Sequence, residues 1–242
     1  MSLASWPIRL LIACFCVPLA LPAQSPSSEY KVSVRELHIP PKALHAYRQG
    51  SEGQAKKDAA GSLPFFQRAI AEYAGYFEAY DRIGVADLDL WRVSDAEQAF
   101  RKAIEVSGGQ YAHPLIALGA ILDDHERFAE AEEVLRKGLN LDPHSWRAQY
   151  YLGEALFGLN RLDESEQIVC EALRSNADFP QAYLLLADIH QRRQDYPSLL
   201  ADLNAYLALA PDGPSSAKAK SLRESVRTRM DESESNAALA QP

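Results

Sequence analysis

Small and large apolar positions recur along this chain with one long period. Gly50, Gly84, Gly119 and Gly153 stand 34, 35 and 34 residues apart, and Ala187 follows after another 34. Twelve residues after each comes Ser62, Ala96, Ala131, Ser165 and Leu199; sixteen after each comes Phe66, Phe100, Leu135, Val169 and Leu203. A further column, nineteen residues on, reads Ala69, Ala103, Gly138, Ala172 and Tyr206. Columns that keep one period predict a repeated helical hairpin, because two antiparallel helices cross closely only where side chains are small. On this reading Gly84 meets Ala96, Gly119 meets Ala131, and Phe100 or Leu135 fills the groove against the next hairpin. Each hairpin leaves an apolar side that its successor must cover. The pattern divides residues 43–213 into repeats at 43–76, 77–110, 112–145, 146–179 and 180–213.

Helix boundaries are expected at Ser94-x-x-Glu97 and Asp163-x-x-Glu166, which have capping-box spacing, and at Pro143 and Pro211, which end second helices. Pro64 falls inside the second helix of the first repeat, where it removes a donor. After Pro214, residues 215–230 predict a terminal helix that caps the array. Leu222, Val226 and Met230 make its narrow apolar stripe; Lys218, Lys220, Arg223, Arg227 and Arg229 make the rest basic. The acidic-then-small tail at 231–242 is expected to be disordered.

This pattern resembles the tetratricopeptide repeat (TPR) family. The third repeat carries Leu118-Gly119, Ala131, Leu135 and Pro143; the second carries Ile83-Gly84, Ala96, Phe100 and Ala103. The resemblance covers roughly residues 43–213. It implies an all-α, right-handed solenoid of five hairpins plus the capping helix, whose first helices line a concave surface. Carried over by repeat position, the groove residues are Asp81, Leu88, Ile116, Tyr150, Glu154, Phe157 and Asp188. Family members that grip a terminal carboxylate use Lys, Arg and Asn there. Here one such column reads Tyr47, Asp81, Ile116, Tyr150 and Leu184, so that clamp is missing. Aromatic and acidic residues together point to an extended or helical ligand with basic and apolar side chains.

The amino terminus changes the picture of where the protein works. Arg9 is the only charge in the first 23 residues, residues 10–21 are mostly apolar, and Pro22-Ala23-Gln24 follows. That order reads as a secretory signal peptide (1–23) cut near Ala23. An uncleaved anchor, or a lipoprotein modified at Cys14 that helps assemble an envelope machine, are the alternatives. The expected location is therefore the periplasm or the exterior. Residues 24–42 read as an extended linker, with a short strand possible at Tyr30–Leu37.

Composition narrows the chemistry. The net charge of -8 disfavours nucleic acid. Cys170 alone remains beyond the signal, so no intramolecular disulfide is expected, and it reads as a small buried hydrophobe. The six histidines form no ligand-spaced pair, and no phosphate loop or nucleophile elbow appears. Asp123-Asp124-His125-Glu126 is the densest titratable run, read as solvated turn residues. No metal, cofactor or catalytic residue is expected. The reading is a non-catalytic scaffold that binds another protein or peptide.

Overall fold

The computed structural model describes residues 38–239, with side chains to residue 232. The signal and the Tyr30–Leu37 segment lie outside the described residues. Among those described, eleven α-helices and no strands are present: α1 (Pro41–Ala55), α2 (Ala59–Glu72), α3 (Phe77–Asp89), α4 (Val93–Val106), α5 (Ala112–Asp124), α6 (Phe128–Leu141), α7 (Trp146–Gly158), α8 (Leu162–Ser175), α9 (Pro180–Arg193), α10 (Tyr196–Leu209) and α11 (Ser216–Leu239). Helices pair α1 with α2, α3 with α4, and so on to α9 with α10; each second helix then packs on the first helix of the following pair. This is an all-α TPR-like solenoid.

The glycine column works differently from the sequence reading. A Cβ at Gly119 would lie 2.4 Å from Cγ of Leu135, not against Ala131; Gly50 and Gly84 likewise face Phe66 and Phe100 at 2.7 Å, and Gly153 faces Val169 at 2.3 Å. The large residue sixteen positions on thus lies over its own hairpin's glycine and also packs toward the next hairpin, as Phe100 does beside His113. The small residue twelve positions on approaches backbone: the Ser165 hydroxyl donates to the Gly153 carbonyl at 2.6 Å. Two columns serve one crossing, one leaving room for a side chain and one for a main chain.

The hairpin turns share a device that the glycine pattern does not announce. Lys57, Trp91, Glu126, Asn160 and Gln194 all have φ near +60°. The N–H of the next residue then reaches back to the first helix's carbonyl five positions earlier: Asp58 to Gly53, Arg92 to Asp87, Arg127 to Leu122, Arg161 to Leu156 and Asp195 to His190. That is a Schellman closure, whose last residue is also the N-cap of the second helix.

The capping-box expectation is therefore corrected. The N-caps are Arg92 and Arg161, neither with a side-chain cap bond, and Ser94 and Asp163 lie one residue inside their helices. Glu97 and Glu166 bind cations of the next repeat instead. Arg127 donates to Glu97 at 2.7 Å and Arg161 to Glu132 at 2.7 Å; Arg193 donates to Glu166. These pairs form an arginine–glutamate ladder from repeat two to repeat five.

α2 runs through Pro64 without a break. At the far end, α11 covers the fifth hairpin with Ala219 and Val226, which bury against Leu199, Leu203, Tyr206 and Leu207, with Leu222 and Met230 alongside. The helix continues to Leu239, past the expected end at Met230, since no proline or glycine interrupts residues 216–239.

Candidate partner-binding groove

The first helices of the hairpins meet one another directly, α5 with α7 most closely and α1 with α3 and α7 with α9 at their edges. They line the inner side of the stack, and two hollows open there. One, of about 650 Å³, lies along α5 and α7 and is walled by Leu88, Ile116, Ala120, Tyr151, His113 and Arg147. The other, of about 540 Å³, lies where α5, α7 and α9 converge, walled by Asp123, Tyr150, Glu154, Phe157, Asp188 and Arg192.

Six of the seven groove residues expected from the sequence line these hollows: Leu88 and Ile116 the first, Tyr150, Glu154, Phe157 and Asp188 the second. Asp81 lines neither. It is 1% exposed, and it accepts from the Tyr111 hydroxyl at 3.4 Å and pairs with Nδ1 of His113 at 2.6 Å. It therefore ties α3 to the start of α5. Tyr150 is more core than surface: it is 9% exposed and stands edge-on to Phe179 with ring centres 4.7 Å apart. Its hydroxyl donates to Oε1 of Glu154 at 2.6 Å.

The run at Asp123 departs from the sequence reading at its first residue alone: Asp124, His125 and Glu126 are exposed, but Asp123 is half-buried, and its Oδ1 is buried and has no hydrogen-bond partner among the described residues. A solvated turn is expected from such a run because polarity is visible in sequence and the neighbouring helix is not. α7 covers the last turn of α5. Burial, with Glu154 and Asp124 nearby, pushes the Asp123 carboxyl up to about 7. Burial also raises Glu154, against the opposing pull of the Tyr150 hydrogen bond. Asp188 is raised by its apolar surroundings, with Lys218 and Arg192 pulling it back down; its side chain remains open to solvent. The second hollow thus holds carboxyls that ionise reluctantly.

Arg192 is the residue that sequence reasoning missed. Its guanidinium lies over the Phe157 ring, 3.7 Å from the centroid, and Nη1 donates to the Phe157 carbonyl at 3.4 Å. The signal was a position near the end of a first helix, 35 residues after Phe157, one repeat on. No group of three or more His, Cys, Asp or Glu side chains among the described residues could hold a metal ion. None of the described helices is long and apolar enough to cross a membrane. Cys170 is half-buried, and burial pushes its thiol up.

Residues 124–189 match the tetratricopeptide repeat family. Among curated protein sequences no match is found. Solved structures share the fold. PilF of Pseudomonas aeruginosa superimposes with a TM-score of 0.66 at 17% identity, over 81% of this chain and 88% of that one. MamA from Desulfovibrio magneticus RS-1 gives 0.64 at 18% identity, over 73% and 99%. YrrB, described as a TPR protein with an unusual peptide-binding site, gives 0.63 at 18% identity, over 74% and 92%. The family match spans residues 124–189, and hairpins of the same build continue on both sides of it, so the fold of the whole array is that of a tetratricopeptide repeat solenoid.

Proposed function

We propose that this chain is a non-catalytic interaction scaffold that holds a segment of another protein along its inner face, and that it does so outside the cytoplasm. The observation that carries the reading is the pair of adjoining hollows, one apolar and one aromatic and acidic, with α7 between them. Rigid apolar walls edged by charge are what protein segments dock on. A peptide-binding site in YrrB and the hetero-tetramer Cut9-Hcn1, whose structure shares this fold, lend support by analogy. Export rests on the order of charge, apolar core and small residues in the first 23 positions.

Affinity capture with the full chain from an envelope extract, followed by mass spectrometry, identifies the partner. The groove is then tested with Phe157→Ala and Ile116→Asp, which alter partly exposed wall residues. Each is expected to weaken binding by about 2 kcal/mol or more with helicity unchanged. Tyr150→Ala is unsuitable, because it would open a hole beside Phe179. Wild-type affinity in both variants would move the site off the inner face.

A further inference from the structure

The hollow between α5, α7 and α9 contains carboxylates that no cation pairs, although Arg192 stands in its wall and acts with Lys218 on Asp188 through space. No ion pair among the described residues engages Asp123, Glu154 or Asp188, although the chain makes ion pairs freely elsewhere, as the arginine–glutamate ladder shows. Asp123 presents a buried, unpartnered Oδ1 at this wall. Beside it, a guanidinium of the chain's own already occupies the aromatic floor: Arg192 stacks on Phe157 without reaching Asp123 or Glu154. Arg192 is exposed, and its one hydrogen bond in the hollow is the long one to the Phe157 carbonyl. An exposed guanidinium over a partly exposed ring is weakly held, so this arrangement is readily displaced.

We propose that this hollow seats one cationic side chain, lysine or arginine, of the bound partner segment, and that Arg192 stands in that seat in the free protein. The proposal rests on the groove being the docking face and names what its acidic end recognises. The entering cation takes the ring face of Phe157 and brings its charge toward Glu154 and Asp123. Arg192 swings outward to solvent on the flank nearer Asp188. Glu154 is already aimed by the Tyr150 hydroxyl.

Binding then moves protons. Asp123 on α5 faces Glu154 on α7, with Asp124 and Glu126 on its own segment, Asp188 and Arg192 on α9, and Lys218 of α11 beyond Asp188. Burial pushes the Asp123 carboxyl up to about 7 and raises that of Glu154 as well, and neither has a counter-charge paired with it. An arriving cation supplies it, favours the ionised form and drives protons off. Affinity therefore rises with pH through the range in which Asp123 titrates in the free protein.

Isothermal titration of the full chain with capped heptapeptides, acetyl-Ala-Leu-Ala-X-Ala-Leu-Ala-amide, tests this, with X as lysine, arginine or the neutral isostere norleucine. The lysine and arginine peptides should bind about tenfold or more tightly than the norleucine peptide. Their affinity should increase from pH 5.5 to 7.5, and the binding heat should differ between buffers of different ionisation enthalpy, reporting proton release. Asp123→Asn with Glu154→Gln should erase both the cation preference and the pH dependence. Arg192→Ala should tighten the lysine peptide several-fold. Equal binding of lysine and norleucine peptides, looser binding by the Arg192→Ala variant, or no binding of any peptide at millimolar concentration would overturn the seat. The groove reading fails by a separate result, a captured partner indifferent to Phe157→Ala and Ile116→Asp.

Discussion

At the scale of single residues, the chain spends its smallest side chains where neighbours are largest. The hypothetical Cβ at Gly119 overlaps Leu135 at 2.4 Å, and Leu135 is fully buried. Gly119→Ala should therefore cost about 1–3 kcal/mol of overpacking, more than the roughly 1 kcal/mol alanine gains over glycine within a helix. Urea denaturation measures it. In the Leu135→Ala background the same change should cost much less, because the clash has been removed. Additive losses would mean the two do not touch. Asp123 gives a second residue-scale expectation. Its carboxyl titrates near 7 in the folded chain against about 3.9 when unfolded. A raised acid binds its proton more tightly when folded, so its destabilising effect is absent below pH 4. It grows as pH rises toward 7 and is constant above that. Asp123→Asn should thus flatten the fall in stability between pH 4 and pH 7. Parallel pH–stability curves for variant and wild type would contradict the burial of this carboxyl.

At the scale of elements, each hairpin is closed by one left-handed residue, and the five positions do not share a residue type. Asn160 suits that conformation; Trp91, 89% exposed with φ +60°, does not. Trp91→Asn keeps the turn and gives up little buried area, so it should raise the denaturation midpoint by about 0.5–1 kcal/mol of stability. A lower midpoint would mean that Trp91 is covered in the native protein. The sequence reading of helix starts failed at this same scale. Ser94 and Glu97 have capping-box spacing, yet the Schellman closure puts the N-cap at Arg92. Glu97 is then left facing Arg127, one repeat on. Spacing reports which side chains can bond locally; it does not report that a nearby cation competes for one of them.

For the whole molecule, the array is a sum of repeats and interfaces, and its ends are where cover has to be supplied. α11 buries Ala219 and Val226 on the fifth hairpin. Ending the chain after Gly213 should cost about 3 kcal/mol or more, since two to three apolar side chains lose their cover. It should also expose a surface that binds hydrophobic dyes and promotes association. An unchanged, monodisperse unfolding transition would show that the fifth hairpin is self-sufficient.

The periodic glycines, small residues and large apolar residues determined the hairpin and its repetition, because a close helix crossing admits few residue types and stacking forces the same solution every 34 or so positions. They also marked most of the groove, since a repeat position carries its face with it: Phe157 and Asp188 are the twelfth and ninth places of successive repeats. Only the tertiary structure decided which of those residues are available and in what charge state. Asp81 and Tyr150 hold groove positions in the repeat, yet neighbours from adjoining elements turn one into a buried acceptor and the other into core. Asp123 reads as turn polarity and Arg192 passes unnoticed in the sequence; both acquire their roles from α7, which covers the one and offers Phe157 to the other. Burial and the absence of a counter-charge are properties of what surrounds a side chain in space, and a linear pattern records only what surrounds it along the chain.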